Sequence, residues 1–307
     1  MREPILGGIA QTEQDRNRPL LRAGNLNCGG CGMSNILQLL SHAIAGREIK
    51  LVIPACCGAI TAAVYPHSAF DVPAILTTFA SAASVATGIA SVARLNNEDT
   101  RVICLAGDGG TYDIGLATLS AAAERNESIL YICYDNEIYG NTGGQRSSAT
   151  PAGASTSSTP GGKTEAKKDI MAIMAAHRIP YAATISIADP DDAVKKMRTA
   201  LDTNGFRFLH ILSPCPTGWK SEPAMGIELV RLAVRSGLFP VYEIFHGERY
   251  VINIEPDFSD EALAMYLSLQ RRFRKSGVTE ASLRPGIEKY WHGLRALSGR
   301  IIPARRF

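Results

Sequence analysis

Apolar, β-branched runs recur along the chain at residues 49–53, 101–105, 129–134, 181–187 and 206–212. Each has the length and residue types of a strand. Between them, helical spacing covers 35–45 behind an N-cap candidate at Ser34, then 114–124, then 190–201 behind Asp189, with Pro190 at the first helical position. Strand and helix alternation of this kind predicts an α/β fold, a mostly parallel sheet flanked by helices. The alternation ends near Ser236, and 250–254, 260–272 and 285–297 read as a small extension. The expected organisation is therefore a main domain over 1–235 and a C-terminal extension over 236–307. No internal repeat is visible.

Two segments break the pattern. Residues 72–93 carry no charge, a length that could span a bilayer. Thr77, Thr78, Ser81, Ser84, Thr87, Ser91 and many alanines make it too weakly hydrophobic for that, so it reads as a buried helix of small residues. Residues 147–162 contain only Ser, Thr, Ala, Pro and Gly and read as a loop. A loop of this length inside a compact domain is commonly functional or disordered.

Composition narrows the class. With 46% hydrophobic and 20% charged residues over 307 positions, the chain has ordinary globular usage. A net charge of +3 is too small a surplus to argue for nucleic acid or an anionic membrane as partner. The first 18 residues lack an apolar leader, so the expected location is cytoplasmic. Thiols stay reduced there, which makes the seven cysteines metal ligands, catalytic groups or core residues rather than disulfides. Cys104 and Cys133 fall inside strands and read as core. The histidines, His210 in its strand among them, have no Ser or Cys partner at a nucleophilic spacing and are expected in core or surface roles.

Chemistry enters at Gly107-Asp108-Gly109-Gly110, between a strand and a helix. A glycine turn there lets backbone N–H groups approach a phosphate, and an Asp in it would repel that phosphate unless a cation lay between. Asn136 ends the next strand in Tyr134-Asp135-Asn136-Glu137-Ile138-Tyr139. A right-handed βαβ crossover puts both strand ends on one sheet edge. The Asp108 carboxylate, the Asn136 amide oxygen and the Ile138 carbonyl, with two diphosphate oxygens and a water, would complete an octahedral Mg²⁺ shell. This is the pattern of a thiamine diphosphate site; taken alone, the glycine motif could be an ordinary turn.

The remaining cysteines form a second constellation. Cys28 and Cys31 make a C-x-x-C, Cys56 and Cys57 are adjacent, and Cys215 stands in Ser213-Pro214-Cys215-Pro216. Four soft thiolates suit either a structural zinc or a [4Fe–4S] cluster, and spacing leaves both open.

Five motifs in order then resemble the thiamine diphosphate-binding β subunit of the 2-oxoacid:ferredoxin oxidoreductases, the pyruvate:ferredoxin oxidoreductase group. They are Cys28-Gly29-Gly30-Cys31-Gly32-Met33, Ile53-Pro54-Ala55-Cys56-Cys57, residues 107–115, residues 135–145, and Ser213-Pro214-Cys215-Pro216-Thr217-Gly218-Trp219. The resemblance covers about Gly24 to Tyr242. It implies a [4Fe–4S] cluster on Cys28, Cys31, Cys57 and Cys215, although the doubled Cys56-Cys57 departs from the family pattern. It implies Mg²⁺ on Asp108, Asn136 and Ile138, and thiamine diphosphate against Gly107, Asp108, Gly109, Gly110, Asn136, Ile138, Asn141 and Thr142. Asn141 is the expected catalytic residue, facing the reacting end of the cofactor.

The implied activity is oxidative decarboxylation of a 2-oxoacid (pyruvate, oxalate, or a branched or aryl acid), with electrons leaving through the cluster to ferredoxin or a similar acceptor. Coenzyme A is a further candidate substrate. No glutamate stands in a motif suited to activate the cofactor, so the chain is expected to be an obligate hetero-oligomer with other oxidoreductase subunits. The 147–162 loop is a candidate lid. Two alternatives stay open: a non-redox thiamine diphosphate decarboxylase or synthase, and a zinc-stabilised interaction module.

Overall fold

A computed structural model describes residues 19–62 and 67–299. The leader reading of residues 1–18 and the basic pair Arg305-Arg306 lie outside the described residues. The first half runs α1 (Gly32–Ile44), β1 (Glu48–Pro54), α2 (Cys57–Thr61), β2 (Ala74–Thr77), α3 (Ala82–Leu95), β3 (Thr100–Gly107), α4 (Leu116–Glu124) and β4 (Ile129–Asp135). There follow α5 (Ile170–Ala176), β5 (Tyr181–Ile185), α6 (Pro190–Asp202), β6 (Arg207–Leu212), α7 (Pro216–Trp219) and α8 (Gly226–Arg235). The C-terminal part adds β7 (Val241–Phe245), β8 (Arg249–Ile254), α9 (Asp260–Ser268) and α10 (Glu280–Ser298).

The strands form one sheet in the order β2-β1-β3-β4-β6-β5-β7-β8. β2 through β5 are parallel, and β7 and β8 add an antiparallel edge. Parallel strands are covered on both faces, and β4 is buried at every position. One core layer packs α1, α6 and α8 through Leu37, Met197 and Leu229; the other packs α3, α4, α5 and α10 through Ala86, Leu119, Met171 and Trp291. Cys104 and Cys133 are wholly buried within the second layer, as their strand positions predict.

The expected α/β architecture is present, with local differences that bear on the site and its surroundings. α1 starts at Gly32 behind Cys31, not behind Ser34, because the Gly32 N–H donates to the Pro214 carbonyl at 2.9 Å and anchors the helix start. The Ser34 hydroxyl is instead taken by Asn27 Nδ2 at 2.7 Å. The uncharged stretch 72–93 is not one helix. Its first part is the edge strand β2, which leaves Ile75 and Leu76 exposed, and only α3 buries alanines. Residues Gly109–Asp113 form a π-turn ahead of α4, closed by the Ile114 N–H on the Gly109 carbonyl at 3.2 Å. Such wide turns recur at functional sites. Finally, the 147–162 loop is folded into the body: Ser147, Ala149, Thr150, Ala154, Ser155 and Thr156 are buried.

Candidate active site

In the β3–β4 register Gly107 faces Tyr134, so both strands end level at one edge of the sheet. That edge is where ligands bind in open parallel sheets. Asp108 follows β3, and Asn136 and Ile138 follow β4; all are buried. Burial, reinforced by the neighbouring Asp135 carboxylate, pushes the Asp108 carboxyl well above the usual carboxylate range, against a hydrogen bond from the Ser147 hydroxyl. A divalent cation at this carboxyl would reverse that logic by favouring the ionised form.

The turn after β3 is shaped to admit a close neighbour. A Cβ on Gly109 would lie 2.3 Å from Tyr139 Cε1, so glycine is what lets the ring sit there. The Tyr139 hydroxyl donates to Asp113 Oδ2 at 2.9 Å, and its ring meets Phe79 edge-on at 5.9 Å. Thr111 closes the turn with a 2.7 Å bond to the Gly107 carbonyl.

On the other side of the cleft, Asn136 Oδ1 accepts from the Ile138 N–H at 3.3 Å, and the Trp219 indole donates to the Asn136 carbonyl at 2.8 Å. Thr150, from the Ser/Thr loop, donates to the Glu137 carbonyl at 2.6 Å. With Ser147 on Asp108 and Ser148 on Asp113, that loop is a strap under the site. Asn141 and Thr142 stand at the exposed tip of the next turn, where the Thr142 hydroxyl is occupied by Gln145 Oε1 at 2.6 Å.

A cavity of about 240 Å³ lies between the two turns. Every residue expected to touch the cofactor lines it: Gly107 to Gly110, Asn136, Ile138, Asn141 and Thr142. Both Cys56 and Cys57, with Ile60, Phe79, Tyr139 and Gly140, are also in its walls. Beneath the floor is a charge network that the sequence pattern does not single out. Asp135 Oδ2 meets Lys167 Nζ and His210 Nε2 at 2.7 Å each and accepts from Tyr112 at 2.9 Å. Burial opposes ionisation of Asp135, yet Lys167 and His210 hold its carboxyl below the usual range. Glu137 pairs with Lys167 at 3.0 Å and with Arg272 at 2.6 Å. His210, expected to play a core role only, is thus part of the site's foundation. The one sequence signal for this network is a cluster of lysines after an otherwise uncharged loop.

The thiols converge on the cleft from three helix starts. Cys31 precedes α1, Cys57 opens α2, and Cys215 precedes α7 and accepts from the Gly218 N–H at 3.3 Å. Cys28 sits one turn before Cys31, with the Cys31 N–H on its carbonyl at 3.1 Å. Burial, then the charges that Cys215, Cys56, Cys31 and Cys28 would carry, push the Cys57 thiol up to about 12. Burial likewise pushes Cys215 up to about 11, opposed by the Gly218 N–H and reinforced by Cys31 and Cys28. Cys56 also lines the cavity but is engaged differently: its thiol is raised by burial and hydrogen-bonded by Tyr134 and the Ala59, Gly58 and Gly107 backbone. A Cβ on Gly140 would lie 3.6 Å from Cys57 Sγ and 3.9 Å from both Cys215 Sγ and Asn136 Nδ2. Among the described residues no three His, Cys, Asp or Glu side chains gather tightly enough to hold a single metal ion.

Residues 55–211 match the family described as thiamine pyrophosphate enzyme, C-terminal TPP binding domain, a span that contains both turns of the cleft. Fold and cleft together thus define a thiamine diphosphate-binding enzyme domain. Ketoisovalerate oxidoreductase subunit VorB of Pyrococcus furiosus is 41% identical over 289 residues, covering 90% of this chain and 92% of that protein. Pyruvate synthase subunit PorB of Methanothermobacter thermautotrophicus is 42% identical over 260 residues, covering 83% and 89%. The chain belongs to the β subunits of the 2-oxoacid:ferredoxin oxidoreductases, enzymes that use thiamine diphosphate for the oxidative decarboxylation of 2-oxoacids. Among solved structures, the 2-oxoglutarate:ferredoxin oxidoreductase of Magnetococcus marinus shares the fold, with a TM-score of 0.57 at 23% identity over 69% of this chain and 79% of that one. Among the described residues no helix is long and apolar enough to cross a membrane.

Proposed function

We propose that this subunit holds thiamine diphosphate through Mg²⁺ on Asp108, Asn136 Oδ1 and the Ile138 carbonyl, and carries a [4Fe–4S] cluster on Cys28, Cys31, Cys57 and Cys215. Its substrate is pyruvate or a branched 2-oxoacid, with coenzyme A as acyl acceptor and ferredoxin or a similar protein as electron acceptor. The observation that carries this reading is Gly140 in the cavity wall, whose Cβ position lies 3.6 Å from Cys57 Sγ and 3.9 Å from Cys215 Sγ and Asn136 Nδ2, so the candidate cation loop and two of the thiols meet at one residue without a side chain.

The donor sets fit the groups assigned to them. Hard oxygen ligands from a carboxylate, an amide and a backbone carbonyl suit Mg²⁺, and the thiols of Cys57 and Cys215, raised by burial, suit a cation that deprotonates them. Four soft thiolates suit a [4Fe–4S] cluster as donors, and membership of a ferredoxin-linked family favours it over a single zinc.

Bound thiamine diphosphate supplies the carbanion centre and electron sink that decarboxylation needs. The chain's own residues do the rest. Asp108 neutralises the cation that in turn neutralises diphosphate. Asn141, at the exposed end of the cavity, donates a hydrogen bond toward developing charge on the substrate oxygen. Phe79 and Tyr139 keep water from the floor.

The partner subunits follow from what the cleft lacks. Its volume of about 240 Å³ falls short of the roughly 300–1,000 Å³ of complete ligand sites. Among the described residues Asp108 is the one acid in its lining, and Glu137 is tied to Lys167 and Arg272, in keeping with a cofactor-activating carboxylate supplied by another chain. Ile60 at the cavity wall is 48% exposed and Leu76 nearby in sequence is 53% exposed, apolar surface for such a chain to cover.

The test is an anaerobic assay of the natively purified complex with a viologen acceptor and a panel of 2-oxoisovalerate, pyruvate, 2-oxoglutarate and oxalate. Reduction of viologen with one of these, dependent on Mg²⁺ and thiamine diphosphate, is expected. Decarboxylation without viologen reduction, by a sample free of iron, would instead establish a non-redox enzyme.

A further inference from the structure

Among the described residues the segment after residue 235 reaches the cation loop through Arg272. Arg272 lies in a short turn, Arg271–Phe273, pinned by the Ser155 N–H on the Arg272 carbonyl at 2.7 Å. It is 2% exposed, rare for an arginine without a built set of partners. Its Nη2 donates to Glu137 Oε2 at 2.6 Å and to the Tyr266 hydroxyl at 3.3 Å, and its guanidinium lies 4.4 Å from the centre of the Trp219 ring.

Two of these contacts bear directly on the loop. Glu137 stands between Asn136 and Ile138 with φ of 63°, a left-handed conformation that a non-glycine residue keeps only when its surroundings hold it. Trp219, wholly buried, donates to the Asn136 carbonyl at 2.8 Å and so fixes the Asn136–Glu137 peptide. One guanidinium therefore grips the side chain between the two candidate ligands and stacks on the indole that orients their backbone. Lys167 also pairs with Glu137, but it is shared with Asp135 and its side chain is 26% exposed. Arg272 is the more deeply buried of the two cations that meet Glu137.

We propose that Arg272 is a positioning residue for the cation loop, aiming Asn136 Oδ1 and the Ile138 carbonyl at one point. This rests on the reading that the loop holds Mg²⁺. Groups one step behind metal ligands change metal affinity by about 10- to 100-fold when removed. Lysine would keep the charge but lose the planar stack on Trp219, so it restores only part of the function.

The experiment uses the intact complex. Mg²⁺ is titrated by calorimetry in the presence of thiamine diphosphate, and thermal midpoints are recorded, for wild type, Arg272→Met, Arg272→Lys and Glu137→Gln. Arg272→Met should weaken Mg²⁺ binding about 10- to 100-fold, with thiamine diphosphate binding restored by excess Mg²⁺ and Arg272→Lys intermediate. Glu137→Gln should weaken it in the same direction, and the double variant with Arg272→Met should cost less than the sum of the two single effects, since both break the shared Arg272–Glu137 contact. Unchanged Mg²⁺ affinity in a folded Arg272→Met complex would overturn the proposal. So would a loss that tracks the thermal midpoint and is not rescued by Mg²⁺, the mark of a purely structural role. Should Arg272→Met fail to assemble, unchanged affinity in Glu137→Gln overturns it alone. Wild type without Mg²⁺-dependent cofactor binding would refute the reading of the loop itself and this inference with it.

Discussion

Tyr139 reaches across the cleft to Asp113, hydroxyl to carboxylate oxygen at 2.9 Å, and so ties the turn after β4 to the turn after β3. The two motifs that supply the candidate cation ligands are therefore one mechanical unit, and their spacing cannot change without breaking this bond. Asp113 also accepts from the Ser148 N–H at 3.1 Å, which brings the Ser/Thr strap into the same unit.

Gly109→Ala should disrupt that unit. The new Cβ would lie 2.3 Å from a ring that Asp113 and Phe79 both hold, and overpacking of this kind costs about 1–3 kcal/mol. Gly88→Ala, in α3 with nothing within 4 Å of its Cβ, is the control and should be neutral or stabilising. Urea unfolding of the two variants makes the comparison; equal midpoints would show that the ring is free to move.

The two adjacent cysteines should separate in iron content. Cys57 responds to Cys215, Cys31 and Cys28, whereas Cys56 is engaged by Tyr134 and the Gly107 backbone. Serine at Cys57 is expected to lower bound iron and abolish electron transfer, and serine at Cys56 to leave most of the iron in place. Anaerobic iron and sulfide analysis decides, and the reverse pattern would make Cys56 the ligand.

Asp108→Ala and Asn141→Ala should fail in different ways. Loss of the buried carboxylate leaves cation and diphosphate poorly neutralised, so thiamine diphosphate affinity should fall sharply. Asn141 stands at the exposed end of the cavity, and its loss should lower kcat by about 10²- to 10³-fold if it serves as a single oxyanion donor. Calorimetry and steady-state kinetics on the same preparations separate the two. Unchanged cofactor affinity in Asp108→Ala would remove it from the ligand set.

A pH effect is expected far from the cleft, at Asp192. Burial raises its carboxyl above the usual range, against the 2.7 Å contact with Lys196 and with support from Asp189 and Glu243. Burial also lowers Lys196, so both partners lean toward their neutral forms. A carboxyl raised in the folded state contributes stability that is fully present below its unfolded value of about 3.9 and is lost as pH rises through the folded value. Asp192→Asn mimics the protonated form and lacks this loss. The stability of wild type relative to Asp192→Asn should therefore decline from pH 4 to pH 7, measured by urea unfolding at each pH; a flat difference would place the Asp192 carboxyl at its ordinary value.

Much of the fold was legible because its central strands are long, apolar and β-branched, and because Asp189 and Pro190 mark a helix start that the Asp192 N–H on Asp189 Oδ1 at 3.2 Å bears out. β2 was hidden because it is four residues long and exposed at Ile75 and Leu76, so nothing separates it from α3 in a run of uncharged residues. β7 was hidden by Glu243, a charge inside an apolar strand, tolerated because Tyr181 donates to it at 2.7 Å and Asn253 at 2.8 Å. The cleft residues stood out through glycine, Asp and Asn at strand ends, where local chemistry constrains the residue type. Lys167, His210 and Arg272 did not, since their roles exist only through tertiary contacts; Arg272 meets Glu137 across 135 positions of sequence.

The backbone bond from Gly32 to Pro214 has a consequence for how the protein matures. It docks the start of α1 onto the turn that ends β6, with Gly32 so close that a Cβ there would lie 2.7 Å from the Pro214 nitrogen. Until that docking occurs, Cys28 and Cys31 belong to one end of the chain and Cys215 to another, on opposite sides of most of the sheet's synthesis. A ribosome must release the chain well past β6 before the thiols can meet. The proposed cluster would then be assembled on a chain already folded past β6, the reverse of small zinc modules that are unfolded until their metal arrives.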